Sequence, residues 1–103
     1  MQKYLIERTA PGAGRLSAEE LVAMSQTSCA ALRELGFEIQ WVQSYVTADK
    51  ITCVYLAADA ETIRKHAEIA GFPCDRAEPI AAVIDPASAG GALWLASSPV
   101  VAA

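Results

Sequence analysis

Residues 38–57 read EIQWVQSYVTADKITCVYLA, and this stretch decides the fold. Two strand-like runs flank one turn at Ala48-Asp49. A loop of two or four residues gives the same register, in which paired residue numbers sum to 97. That register puts Ile39, Trp41, Gln43 and Tyr45 on one face with Thr52, Val54 and Leu56. It puts Val42, Ser44 and Val46 on the other with Ile51, Cys53 and Tyr55. A slip of one residue would invert the sorting of one strand, because side chains alternate with period two. Both faces carry apolar residues, whereas a sheet in a small α+β domain usually keeps one face polar. Two apolar faces require two coverings. The chain has helix for one, so the other is expected to meet a partner subunit, a ligand or the chain's own tail.

Outward from the hairpin, a first strand reads over Gln2–Thr9, and Pro11-Gly12-Ala13-Gly14 then breaks the pattern. The glycine loop lacks the Gly-Lys-Ser/Thr ending of a P-loop and the third glycine of a dinucleotide turn, so it reads as a connection. Ser17 with Glu20 forms a capping box that starts a helix near Ala18. Leu21, Met24, Ser28, Leu32 and Leu35 fall at helical spacing on one buried stripe, and Gly36 supplies a stop. A second helix begins after Asp59, an N-cap residue, with Glu61 favourable in its first turn. Ile63, Ala67 and Ala70 mark its inner side, and Gly71 with Pro73 ends it. A fourth strand reads over Ala77–Ile84, with Pro79 placing it at an edge or a bulge.

The order is β-α-β-β-α-β, an α+β class pattern of the ferredoxin-like sandwich. It predicts a four-stranded antiparallel sheet with strands one and three central, two and four at the edges, and both helices on one face. The name describes topology only; no iron–sulfur motif is present. Residues 1–86 make this domain. Residues 87–103 change to Ala, Ser and Gly with Leu93, Trp94, Leu95, Val100 and Val101, and read as a tail that docks on its own sheet or a partner through Trp94.

At 103 residues the chain is one domain by length, and such a chain buries roughly two-thirds of its unfolded surface. With 53% hydrophobic and 19% charged residues it is not disordered, and it is apolar enough for a small domain to expect association. A formal net charge of −4 argues against nucleic acid, and no basic amphipathic helix suggests a membrane surface. Met1 leads straight into Lys3-Tyr4-Leu5-Ile6, with no charged segment ahead of an apolar one, so no secretory signal is read and the cytoplasm is the expected compartment. Cys29, Cys53 and Cys74 contain no C-x-x-C pair, which excludes a zinc finger or thioredoxin-type motif and leaves reduced, mostly buried thiols as the plain reading.

Several motifs stand in order along the chain: Tyr4-Leu5-Ile6-Glu7-Arg8, Pro11-Gly12-Ala13-Gly14, Gln26-Thr27-Ser28-Cys29, Gln40-Trp41-Val42-Gln43-Ser44-Tyr45-Val46, Cys53-Val54-Tyr55, and His66-Ala67 leading to Gly71-Phe72-Pro73. Together they resemble a family of small bacterial ferredoxin-like proteins that includes a nickel-binding, nickel-responsive member. The resemblance covers about residues 3–85. It implies a homodimer of the dimeric α+β barrel type and a site for nickel or another divalent transition metal. It also implies a histidine where this chain has Gln43, whose carbonyl is a harder donor than the imidazole Ni(II) favours. Cys74 stands where the resemblance implies a small apolar residue.

The chemistry-bearing candidates are few. His66 is the one histidine; it reads as a packed residue or, with the resemblance, as a metal ligand needing carboxylates, thiols or a second subunit. Glu7, in an otherwise apolar strand, reads either as a residue at the strand's exposed end or as a metal ligand or acid/base group. Trp41, Gln43 and Tyr45 would line a ligand pocket or a dimer interface. Ser28 and Cys29 lack a neighbouring base in sequence for a nucleophile role. No paired-carboxylate motif, nucleophile elbow or metalloprotease helix marks an enzyme. The leading reading is a cytoplasmic homodimeric metal-binding protein in metal handling or response. Beside it stand a small-molecule-binding or catalytic dimeric barrel using the open sheet face, and an interaction module without ligand.

Overall fold

The computed structural model describes residues 1–96. Strands β1 (Gln2–Thr9), β2 (Ile39–Val46), β3 (Lys50–Ala57) and β4 (Arg76–Pro79) form one sheet, and α1 (Ala18–Leu35) and α2 (Ala60–Ala70) are its helices. The strand order is β2-β3-β1-β4 with every neighbour antiparallel, the order the sequence pattern predicts.

The local signals act as their chemistry requires. Ser17 Oγ accepts from the Glu20 amide and the Glu20 carboxylate accepts from the Ser17 amide, closing the capping box of α1. Asp59 Oδ1 accepts from both the amide and the hydroxyl of Thr62 at 2.8 Å and caps α2. Gly71 ends α2 in the left-handed conformation at φ 76°, which costs glycine nothing. Gly14 serves a different need. Its amide donates to the Ala48 carbonyl at 3.0 Å, and a Cβ there would stand 2.9 Å from Ala48 Cα. The glycine loop is thus a connection that seats itself against the β2–β3 turn.

Alternation along the central strands sorts the core. Tyr4, Ile6 and Arg8 of β1 and Ile51, Cys53, Tyr55 and Ala57 of β3 are buried beneath the helices. Met24, Leu32 and Leu35 of α1 and Ile63 of α2 pack on that face. Leu5, Glu7, Thr52, Val54 and Leu56 turn to the opposite face, which no helix covers.

The hairpin departs from a single register. Gln43 to Val46 pair with Val54 to Ile51 as predicted, their numbers summing to 97; Ile39, Gln40 and Trp41 pair with Ala57, Leu56 and Tyr55, summing to 96. Val42 is the extra residue of a β-bulge. The predicted face shared by Ile39, Trp41, Gln43 and Tyr45 is therefore corrected. Ile39 and Trp41 lie under the helices opposite Ala57 and Tyr55, while Gln43 and Tyr45 lie on the open face opposite Val54 and Thr52.

The predicted fourth strand is also corrected. It divides into β4 and a two-residue β5 (Ala82–Val83), which leaves the main sheet and pairs with β6 (Trp94–Leu95). This second hairpin straddles the predicted boundary at residue 86. It sets the Trp94 ring 4.5 Å from Lys3 Nζ, within cation–π range. Val100 and Val101 lie outside the described residues. The thiols are less buried than composition predicts, with Cys53 buried, Cys74 half-buried and Cys29 exposed.

Candidate functional site

Two places gather the functional side chains, one on each side of the sheet. The first lies beneath the helices. Alternation that buries Tyr4 and Ile6 also carries Arg8 inward, where it is 3% exposed. Arg8 Nη1 donates to the Pro73 carbonyl, its guanidinium lies 5.7 Å from the Phe72 ring centroid, and its Nη2 has no partner. Pro73 belongs to the loop in which Gly71 and Pro73 break α2, so helix termination positions the acceptor for Arg8.

Beside Arg8 stand Tyr55, Ser28 and His66. His66 is fully buried, and its ring centroid lies 5.2 Å from that of Tyr55. His66 Nε2 lies 3.2 Å from Ser28 Oγ and 3.3 Å from the Ser28 carbonyl oxygen. A carbonyl only accepts, so Nε2 carries the proton in this contact and Nδ1, which has no partner, bears the lone pair. Burial holds the imidazole below its ordinary pKa; the Ser28 carbonyl opposes this and the Arg8 charge adds to it. Burial pushes the Tyr55 hydroxyl above its ordinary pKa, with the Ser28 hydroxyl and Arg8 pulling the other way. The fold thus supplies the base for Ser28 that sequence proximity did not show. It does not activate it, since the nitrogen facing Oγ is the one that carries the proton, and no carboxylate orients the ring.

Arg8, Ser28 and Tyr55 of this group border a cavity of 240 Å³ between α1, the sheet and the loop after α2. Leu21, Met24, Trp41, Val46, Ile51 and Phe72 supply its apolar wall, and Arg8 is the sole charged lining residue among the described residues. Trp41 Nε1 donates to Ser44 Oγ at 2.9 Å, fixing the indole at the edge of the space.

The second place is the open face. Cross-strand pairing sets Tyr45, Thr52, Glu7 and Arg76 in one row and Gln43, Val54, Leu5 and Glu78 in the next. Glu7 is half-buried, with Lys50 Nζ and Arg76 Nη1 each 3.7 Å from its carboxylate. Gln43 Nε2 contacts the Tyr45 hydroxyl. Leu5 and Tyr45 are 36% and 52% exposed, so this face presents apolar surface beside the carboxylates of Glu7 and Glu78.

The predicted site residues therefore divide. Glu7, Gln43 and Tyr45 come together on the open face. Trp41 goes to the cavity. His66 goes into the core across the sheet from Glu7, so the two do not meet as ligands within one chain. No group of three His, Cys, Asp or Glu side chains suited to a metal ion occurs among the described residues. The surroundings of His66 do not fit a dication, because Arg8 puts a positive charge in the same cluster. Glu7, Gln43 and Tyr45 offer only oxygen or amide donors, a harder set than Ni(II) favours. Sequence reasoning missed Arg8 as a site residue. The signal was present, since period-two alternation from Tyr4 and Ile6 points Arg8 inward.

No helix among the described residues is long and apolar enough to cross a membrane. No curated protein gives a significant match. The crystal structure of SCO4226 from Streptomyces coelicolor A3(2) superposes with a TM-score of 0.65 at 15% sequence identity, over 76% of this chain and 94% of that one. At that identity the likeness shows the fold. A family model described as nickel responsive protein SCO4226-like matches residues 4–80, from within β1 to just past β4. That span is most of the main sheet and both helices, and the chain belongs to the SCO4226-like family.

Proposed function

We propose that this chain is a cytoplasmic metal-response protein of nickel type that works as a homodimer, two copies of the ferredoxin-like sheet meeting through their open faces. Glu7 carries the reading. It is a half-buried carboxylate on a central strand, with Tyr45 in its own cross-strand row and Leu5 and Val54 in the next, on the face the helices leave bare. One chain lacks a complete donor set. A two-fold pairing of open faces doubles whatever each copy offers, bringing two Glu7 carboxylates and the flanking Gln43 and Tyr45 groups into one layer. The ion pairs to Lys50 and Arg76 are long and partly exposed, worth on the order of 0–1 kcal/mol each, so a divalent ion displaces them at small cost. The family's description as nickel responsive supports the choice of ion. His66 serves the core in this reading and is no ligand.

The test combines sedimentation with calorimetric titration of the metal-free protein by Ni(II), Co(II) and Zn(II). A dimer at micromolar concentration, with saturable ion binding lost in Glu7→Gln and kept in His66→Gln, is expected. A monomer, or absence of both heat and thermal shift with all three ions, would sink the proposal. Binding that survives Glu7→Gln and vanishes in His66→Gln would move the ion to the core.

A further inference from the structure

The Arg8 guanidinium sits in a low-dielectric wall without a counter-charge. The groups it meets, the Pro73 carbonyl and the Tyr55 hydroxyl, are neutral, and Nη2 is buried without a hydrogen-bond partner. None of the ion pairs among the described residues involves Arg8. The carboxylate that feels its field is Asp75, which is exposed and already accepts from the Thr9 amide. A buried cation left in this state is costly, and proteins keep such charges where an anion completes them.

Arg8 also lines a cavity whose other walls are mainly apolar. We propose that this cavity is a binding site for a small monocarboxylic acid with an apolar body, the carboxylate pairing with the Arg8 guanidinium and the body filling the space between Met24, Leu21, Trp41 and Ile51. The volume fits the class. A cavity of about 150 Å³ holds benzene, so 240 Å³ accommodates a benzene-sized or six-carbon body with its carboxylate. The polar groups fit as well. Ser28 and Tyr55 place hydroxyls beside Arg8, and burial keeps Tyr55 protonated and able to donate. Ser44 Oγ accepts from Trp41, leaving its own proton for a ligand oxygen.

The same features select against other ligands. A lone cationic wall repels amines and metal ions. One guanidinium matches one negative charge, so a dianion such as phosphate leaves one charge uncompensated beside apolar walls. The site faces the helices, across the sheet from Glu7, and nothing in it rests on the metal reading.

Trp41 provides the reporter. The chain has two tryptophans, and Trp94→Phe leaves Trp41 as the one in the protein. That variant is titrated with benzoate, phenylacetate and hexanoate, and in parallel with benzamide, phenylacetamide and hexanamide, with inorganic phosphate as a further probe. At least one acid is expected to give a saturable change in Trp41 emission with a Kd below about 1 mM. Its amide is expected to bind at least tenfold more weakly, since a charge-assisted pair is lost. Arg8→Met is expected to lose at least tenfold in acid affinity. Ser25→Leu fills the cavity and leaves Arg8 in place, and it is expected to abolish binding with the circular dichroism unchanged; this arm holds even if Arg8→Met fails to fold. Equal binding of acid and amide, tighter binding of phosphate than of every acid, undiminished binding by folded Ser25→Leu, or no saturable response to any acid would each overturn the proposal.

Discussion

Trp41 and Gln43 are two positions apart in β2 and face opposite sides of the sheet, because Val42 between them is the extra residue of a bulge. In a regular strand they would share a face. The bulge sends the indole under the helices to meet Ser44 and Tyr55, and leaves the amide on the open face beside Tyr45.

Deletion of Val42 tests this arrangement. Because Val42 has no cross-strand partner, its removal leaves Trp41 opposite Tyr55 and Gln43 opposite Val54. The variant is expected to fold, at a cost of about 1–2 kcal/mol from lost local twist, with Trp41 emission still that of the half-buried indole of the parent protein. In an unbulged strand the same deletion would turn half of β2 inside out. Urea denaturation followed by tryptophan fluorescence separates the two outcomes, and an unfolded or red-shifted variant would contradict the bulge.

His66 should make the fold sensitive to mild acid. Its folded-state pKa is held below the ordinary 6.5, chiefly by burial. Above about pH 6.5 the imidazole is neutral in both folded and unfolded chains, and this contribution is complete. As the pH falls below that value, the unfolded chain takes up a proton that the folded chain refuses. Stability is lost until the lower folded value is reached. His66→Gln is expected to be less stable at pH 7.5 and to lose much of the slope of stability against pH just below 6.5. A slope that persists unchanged in a folded His66→Gln protein would assign the acid sensitivity to other groups.

Gly14→Ala probes the seat of the glycine loop. The new Cβ would stand 2.9 Å from Ala48 Cα and 3.2 Å from the Thr47 carbonyl oxygen, both backbone atoms that cannot swing aside. A loss of about 1–3 kcal/mol is expected from overpacking. Gly90→Ala meets no atom within 4 Å and serves as the control, expected to shift the thermal midpoint little. Equal stability of the two variants would show that the loop and the turn are not in contact.

Asp59→Ala removes the cap of α2 and leaves the Thr62 amide and hydroxyl without their acceptor. A loss of stability is expected, since the helix start then lacks its side-chain acceptor. Hydrogen bonds from the Thr62 amide and then its hydroxyl hold the Asp59 carboxyl below its ordinary value. Its contribution is therefore complete above the unfolded carboxylate value near 4 and lost as the pH falls toward the depressed one. The difference between wild type and variant in chemical denaturation should shrink between pH 5 and pH 3. A difference that stays constant with pH would place the effect in helix propensity and not in the carboxylate.

Local signals in the chain were legible because they act through neighbours in sequence. Ser17 and Glu20 and Asp59 mark where helices start, Gly71 marks where one stops, and alternation in β3 sorts its two faces, all within a few residues. Charge and composition set limits of the same local kind. The division of the site was not legible. The bulge at Val42 depends on how β2 lies against β3, and no residue type in Gln40-Trp41-Val42-Gln43 demands it. The split of the fourth strand depends on β6, a dozen residues further on, competing for Ala82 and Val83.

By itself the sequence determined the order of elements and the central and edge strands, since these follow from periodicity, capping and turn chemistry along the chain, while its ordered motifs marked the family by resemblance. Tertiary structure alone decided that His66 meets Ser28 and not Glu7, that Trp41 parts from Gln43, and that Arg8 ends in an apolar cavity without a counter-charge. The physical reason is one of range. A cap or a periodic face is settled by bonds among residues a few positions apart. The partner of a buried charge or ring is settled by which atoms, 38 positions away for Ser28 and His66 and 65 for Arg8 and Pro73, packing brings within reach of a hydrogen bond.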